Sequence, residues 1–483
     1  MENIVATLIN RAESHPDRLL IDAPDGALSY AAFFKRSLSI AERISMRGVQ
    51  RGERVAIVAK DYASCLTSIF GCWLSGTVAV PLNLSLSGEV MRELMQEADV
   101  KLLVQQGGDA GPHNEIETLK YVELPSRSFT KDPLVAMQAS EDALILFTSG
   151  TTGKNKGACL SLGALSYNAL LAGTALKLSK DDRIFVNTPP YYTSGLSHFL
   201  TMLTVGGSIV ARNGFYFGEA LVEMMDRFLC TGFGGAPTHL MRVVETLPDG
   251  GMPERVRFWV SSGDHLPVSV IRKAAKRFPH LEIFTVYGLT EVGGRLCVLD
   301  PKFLPEKAGS VGKPVTGMSL SIRTQTGGEA KTREIGEVIV KGPLLMRNYL
   351  GQKESEREFA TGDFGYFDED GFLWLKGRRD DLFKSGGEKV SCIQIQQAIL
   401  QTGMVYDAVV LASSDAHLGK VPHAYLVPTS RYNEDALRQL LRSELAPHQF
   451  PKKFILVDAI PRTGSGKVRK AELESEAPQE AAI

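Results

Sequence analysis

Short apolar, β-branched runs alternate with amphipathic stretches along much of the chain. The runs Arg54 to Ala59, Ala143 to Phe147, Arg183 to Asn187, Val256 to Val260 and Glu282 to Val286 predict strands. Between them, Glu219 to Phe228 and Thr238 to Leu247 predict helices. In Pro267 to Phe278, Pro267 suits the first helical turn, and Val270, Ile271, Ala274, Ala275 and Phe278 fall on one face. This alternation implies parallel-type sheets flanked by helices. After about Leu320 the strand-like runs Leu320 to Arg323, Gly336 to Lys341 and Phe372 to Leu375 follow one another without helices, predicting a small β-rich subdomain over about 310–376. Beyond the charged, Gly-rich segment Lys376 to Asp381, strands at Ala408 to Ala412 and Ala424 to Val427 and a helix at Glu434 to Leu445 predict a small α+β unit. The expected class is α/β, with an N-terminal domain over 1–376, a connection at 377–381 and a C-terminal domain over 382–483.

Composition narrows the class of function. The 483 residues exceed one hydrophobic core, and 44% hydrophobic with 23% charged residues is the balance of a globular chain. Lys plus Arg number 54 against 55 Asp plus Glu, so no global field draws in nucleic acid or an acidic membrane, and an anionic ligand must be held by local groups. Six scattered cysteines without C-x-x-C spacing argue against a disulfide framework or a zinc site. The first residues carry no apolar signal core, and the best apolar stretch, Ile69 to Leu82, is interrupted by Gly71, Ser75, Gly76 and Thr77, so a cytoplasmic protein with no membrane span is expected.

The strongest chemical signal is Thr148-Ser149-Gly150-Thr151-Thr152-Gly153-Lys154-Asn155-Lys156-Gly157, directly after the Ala143 to Phe147 run. Its glycines let the backbone turn N–H groups toward an anion, and its hydroxyls and lysines add donors and positive charge, which suits a polyphosphate. The Walker pattern cannot be threaded through it. The segment resembles the phosphate-binding loop of the adenylate-forming superfamily of acyl-CoA synthetases, adenylation domains and luciferases, with Asn155 in place of the usual proline.

Further motifs of that superfamily follow in order, and the resemblance spans roughly Asn3 to Lys470. Tyr287-Gly288-Leu289-Thr290-Glu291 is similar to its Y-G-x-T-E signature: the ring can stack on a base, the hydroxyl of Thr290 can reach phosphate, and Glu291 can hold Mg²⁺. Gly263, Asp264 and His265 resemble the segment whose backbone lines the adenine pocket. Asp363 of Thr361-Gly362-Asp363 implies a ribose acceptor, Arg378 a ribose or phosphate contact, and Asp380 the pivot of a mobile C-terminal domain. In Pro461-Arg462-Thr463-Gly464-Ser465-Gly466-Lys467, Lys467 matches the catalytic lysine that neutralises charge as a carboxylate attacks the α-phosphate, with Lys156 at the outer phosphates. After rotation, Gly386 and Gly387 would leave room for a pantetheine thiol.

The resemblance therefore implies a free-standing AMP-forming acid–thiol ligase that uses Mg-ATP and transfers the acyl group to CoA. The alternatives are loading of an acyl or aryl carrier protein, and a catalytically inactive nucleotide-binding regulator. No carrier motif follows Lys470, which favours CoA, and intact Lys467, Glu291 and Asp363 favour catalysis. The acid pocket is placed at Tyr192, Gly195, Gly235, Val286, Gly294 and Arg295; Gly288, where acetate-specific relatives carry a bulky aromatic, and the small or apolar lining suit an aromatic or medium-chain acid. Arg295 is the odd member, expected to be a rim residue with its head in solvent, with pairing to a second substrate carboxylate as the alternative.

Overall fold

The computed structural model describes residues 2–24, 26–106, 116–120, 137–149, 155–212, 214, 216–353, 358–415, 417–462, 468–470 and 472–473; of Ser149, Asp380 and Lys389 it describes the backbone only. Among these residues the strands form four sheets. The largest has nine strands, at whose centre Ser208–Ala211, Arg183–Val186, Gly232–Gly235, Phe258–Ser262 and Glu282–Leu289 run parallel. Gly294–Leu299 then turns back antiparallel along Glu282–Leu289. A seven-stranded sheet holds Arg54–Ala59 and Val78–Pro81 at its centre and the antiparallel pair Asp142–Ser149 and Asn155–Ser161 toward one edge.

Helices fill the space between these two sheets. Tyr62–Leu74 is buried at every position, which is why its sequence shows no polar stripe. Its Phe70 and Trp73 rings stand 4.7 Å apart, and Phe70 meets Phe33 at 5.4 Å and Phe199 at 5.8 Å, joining three helices in one aromatic cluster. Gly71 lets the Tyr30–Met46 helix pass close by, since a Cβ there would fall 2.6 Å from Ile40 Cγ2. No helix among the described residues is long and apolar enough to cross a membrane.

The β-rich segment is a four-stranded antiparallel sheet of Ser319–Arg323, Gly336–Lys341, Glu358–Phe367 and Leu373–Arg378. The last sheet has five strands, including the long hairpin Val405–Asp415 with Gly419–Pro428, packed by the helices Cys392–Gln401 and Glu434–Glu444 around Ile395, Ile399, Leu437 and Leu441.

Several sequence expectations shift. The strand expected at Val256 to Val260 begins at Phe258. Pro267 is the N-cap of Val268–Arg277 rather than its first helical residue, and Ala275 is exposed while Ile271, Ala274 and Phe278 are buried. Lys156 and Gly157, read as loop, lie on the returning strand Asn155–Ser161. Asp363 lies inside Glu358–Phe367, a strand whose Thr361-Gly362-Asp363 interrupts the alternating pattern and whose pairing shifts register there.

Candidate active site

The parallel strands Gly232–Gly235, Phe258–Ser262 and Glu282–Leu289 end side by side, and ligands of open α/β sheets bind beyond such carboxyl ends. Tyr287, near the end of Glu282–Leu289, donates its hydroxyl to Asp363 Oδ2 at 2.5 Å. Arg378 Nε donates to Asp363 Oδ1 at 3.0 Å from the neighbouring strand, where the two residues are in register. Burial pushes the Asp363 carboxyl upward against the opposing charge of Arg378, and burial with the adjacent Asp363 drives the Tyr287 phenol well above its ordinary value.

A second cluster lies beside the first. Glu291 sits on the short turn Thr290–Val292, whose Thr290 Oγ1 accepts from Thr193 Oγ1 at 2.8 Å at the start of the Thr193–Val205 helix. Tyr349 donates to Glu291 Oε1 at 2.6 Å, and Lys156 Nζ stands 5.4 Å from the centroid of the same Tyr349 ring. Tyr349 reaches this position because Asn348–Tyr349 pairs with Cys159 and Ala158 on the Asn155–Ser161 strand. Thr148 Oγ1 donates to the Lys156 carbonyl at 3.4 Å across the hairpin. Lys156 and Glu291 thus meet at Tyr349, a residue that sequence reasoning did not select, with Thr148 tied to Lys156 across the hairpin and Thr290 next to Glu291 in the chain. Gly150, Thr151, Thr152, Gly153 and Lys467 lie outside the described residues, as do the side chains of Ser149 and Asp380.

No group of three His, Cys, Asp or Glu side chains able to hold a metal occurs among the described residues. Glu291 offers one carboxylate, and Mg²⁺ is commonly held by one or two carboxylates with phosphate oxygens and water completing its shell. The donor set therefore fits a magnesium ion that arrives with a nucleotide.

Of the residues expected to line an acid pocket, Tyr192 and Gly195 lie at the head of the Thr193–Val205 helix, and Gly235, Val286, Gly294 and Arg295 lie on strands of the nine-stranded sheet. The Tyr192 hydroxyl accepts from Asn83 Nδ2 at 3.0 Å, and its ring lies 4.8 Å from that of Tyr191. Tyr62 donates to the Gly195 carbonyl at 2.9 Å. A Cβ on Gly195 would stand 2.3 Å from the carbonyl oxygens of Thr188 and Pro189, so no other residue fits this approach. Val286 and Gly235 are buried, and Gly288 pairs with Arg295 across the sheet. Arg295 corrects an expectation: it is not a rim residue but is 4% exposed, its head held by Ser197, His198 and Thr201. Burial pulls its guanidinium down to about 10.

The C-terminal lobe is docked over this cleft. Arg462 binds Asp407 of its own lobe at 2.9 and 3.0 Å and reaches Asp264 of the large domain at 3.3 Å. Gln397 and His265 meet at 2.9 Å, and Arg242 stacks on Tyr406 at 4.7 Å. Asp264 and His265, which follow Gly263 in its left-handed conformation (φ 94°), therefore use their side chains to hold the lobe. Arg469 lies near enough for its charge to oppose the upward push that burial gives the Tyr192 phenol. Gly386 and Gly387 sit at the exposed tip of the hairpin Leu382–Ser385 and Glu388–Ser391, where Gly386 N–H donates to Leu418 of the same lobe; they take no part in the cleft in this arrangement.

The family model described as AMP-binding enzyme matches residues 8–350, and that of the AMP-binding enzyme C-terminal domain matches residues 394–467. The 2-succinylbenzoate–CoA ligase of Bacillus licheniformis is 30% identical over 96% of this chain and 98% of its own length, and that of Bacillus subtilis is 30% identical over 97% of each. The structure of o-succinylbenzoate CoA synthetase from Bacillus subtilis with its acyl-adenylate intermediate superposes with a TM-score of 0.86 at 27% identity, covering 99% of both chains. The same enzyme with ATP and magnesium gives 0.84 at 27% identity, covering 97% of this chain and 99% of that one.

Proposed function

The chain belongs to the AMP-binding enzyme family and is an AMP-forming acid–CoA ligase using Mg-ATP and CoA, and from that premise we propose that it activates an aryl carboxylic acid of the 2-succinylbenzoate kind. The observation that carries the residue assignment is the pair of adjoining clusters, Tyr287–Asp363–Arg378 and Lys156–Tyr349–Glu291, beneath a docked C-terminal lobe.

In the proposed mechanism Asp363, oriented by Tyr287 and Arg378, accepts from the ribose hydroxyls. Thr148 to Gly153 and Lys156 hold the outer phosphates. Glu291 would hold the magnesium ion, which supplies charge neutralisation at the phosphate oxygens. Tyr349 fixes the Glu291 carboxylate through its hydroxyl, and Thr290 donates toward phosphate from the head of the helix that carries the acid pocket. The substrate carboxylate attacks the α-phosphorus and pyrophosphate leaves. Lys467 stabilises the charge that converges there. Its sequence neighbours Arg462 and Arg469 contact Asp264 and influence Tyr192, which supports a docked lobe that serves this first step. Thioester formation then requires rotation about Asp380 to bring Gly386 and Gly387 to the cleft. A cytoplasmic location is part of the same proposal, since both steps draw on ATP and CoA.

Pyrophosphate release and CoA-thioester formation measured with 2-succinylbenzoate, benzoates, cinnamates and C4–C12 fatty acids test this function. Acid-dependent turnover strongest with the aryl acids is expected. Turnover confined to the fatty acids would refute the aryl assignment.

A further inference from the structure

Arg295 lies on the Gly294–Leu299 strand and is among the most buried charged groups described. Its Nη1 donates to Thr201 Oγ1 at 3.1 Å, Ser197 Oγ at 3.3 Å and the Ser197 carbonyl at 3.4 Å, and its Nη2 to His198 Nδ1 at 2.7 Å. A guanidinium can only donate, so His198 Nδ1 is unprotonated and the imidazole is neutral. Every partner of Arg295 among the described residues is therefore neutral. Other sequestered arginines differ: Arg212 and Arg183 pair with Asp22, and Arg462 pairs with Asp407, although their side chains are 10%, 22% and 16% exposed. Arginine does not discharge, and an unpaired buried cation is costly to keep.

Of the Arg295 donors, Nη1 and Nη2 are engaged by these groups, whereas Nε makes no hydrogen bond to a described residue, so the guanidinium keeps a donor for an anion. The location matches. Thr193, one end of the helix holding Arg295, touches Thr290 at the reacting end of the site. His198 follows five residues later, about 7.5 Å further along the helix axis. Glycines let the neighbouring backbone close in on this helix and strand: a Cβ on Gly234 would stand 2.3 Å from His198 Cε1, and one on Gly288 2.2 Å from the Gly294 carbonyl oxygen, so the positions of His198 and of the Arg295 strand are fixed by close packing.

We propose that Arg295, held in place by Ser197, His198 and Thr201, binds a second carboxylate of the acid substrate, so that the enzyme selects dicarboxylic acids whose two anions are separated by about the depth from Thr290 to His198. The assignment rests on the aryl-acid function above and makes it more specific, since 2-succinylbenzoate carries two carboxylates.

The test compares 2-succinylbenzoate with 3-benzoylpropionate and 2-butyrylbenzoate, each of which lacks one of the two carboxylates, in pyrophosphate release by the wild-type enzyme and by Arg295→Gln and Arg295→Lys. The wild type is expected to favour the diacid in kcat/KM by about 100-fold or more over either monoacid, because a polar site left without its partner discriminates strongly. In Arg295→Gln that ratio should fall to within about tenfold, with Arg295→Lys restoring part of it. The wild-type ratio needs no variant to fold, and thermal unfolding reports whether the variants do. Equal use of diacid and monoacids by the wild type, or an undiminished ratio in folded Arg295→Gln, overturns the role of Arg295 while leaving the aryl-acid function standing. Absence of pyrophosphate release with all three overturns both.

Discussion

Asp264→Asn separates the two jobs of the docked lobe. Asp264 accepts from Arg462 at 3.3 Å across the domain boundary, with side chains 32% and 16% exposed. At an effective dielectric of about 20 the bare attraction at that distance is about 5 kcal/mol. Partial exposure, and prior neutralisation of Arg462 by Asp407, reduce this to about 1 kcal/mol. The Gln397–His265 and Arg242–Tyr406 contacts remain in the variant, so the lobe still docks, but its docked population should fall about fivefold. Single-turnover pyrophosphate release should slow by that factor, while CoA transfer to preformed acyl-adenylate stays at the wild-type rate or rises. Arg462→Gln is the contrast. It strips the bidentate partner from Asp407, whose carboxyl burial already pushes upward, and should cost about 3–5 kcal/mol of stability in the C-terminal lobe. Asp264→Asn should leave thermal unfolding nearly unmoved. If it slows both half-reactions equally, or slows neither, the bridge does not select the adenylating arrangement.

Three other predictions rest on separate contacts. Tyr349→Phe keeps the ring beneath Lys156 but loses the 2.6 Å bond to Glu291, so pyrophosphate release should fall about tenfold and the magnesium concentration needed for half-maximal rate should rise; an unchanged magnesium titration would count against Tyr349 as the group that orients Glu291. Gly71→Ala forces a Cβ to 2.6 Å from Ile40 Cγ2 and 3.1 Å from the Ser37 carbonyl, and denaturant unfolding should show a loss of about 1–3 kcal/mol despite the better helix propensity of alanine. His239 donates Nδ1–H to the Ala236 carbonyl at 3.1 Å and accepts from Asn187 at 2.8 Å, and burial pulls it down to about 4 from 6.5. The unfolded chain thus binds this proton more readily, so stability is full above about pH 6.5 and falls by about 3 kcal/mol as pH drops toward 4. Denaturation midpoints of His239→Gln should show a smaller loss than the wild type between pH 7.5 and pH 5; parallel losses would show that His239 does not supply it.

In the parallel core Arg54 to Ala59 was legible as an apolar run buried almost throughout, and in the antiparallel four-stranded sheet Gly336 to Lys341 was legible as a β-branched run; both were delimited from sequence as they occur. Glu358–Phe367 was not, because Gly362 and Asp363 break its alternation where the chain leaves register. Motifs marked the ends of site elements, yet a motif states which residues arrive, not what they meet. Asp264 and His265 were read for their backbone, and the partners of their side chains, Arg462 and Gln397, lie more than a hundred residues away in sequence. Tyr349 carried only the signal of its neighbours, because its role follows from a two-residue pairing with Cys159 and Ala158. Arg295 was misjudged for a physical reason. Arginines usually snorkel, and composition cannot reveal that the carbonyl and hydroxyl of Ser197, the imidazole of His198 and the hydroxyl of Thr201 all converge on its head from a single helix. A chain with near-equal numbers of acids and bases still places this cation where no described acid answers it, a local imbalance invisible in a net charge of -1 and the ground on which an anion is proposed to bind there.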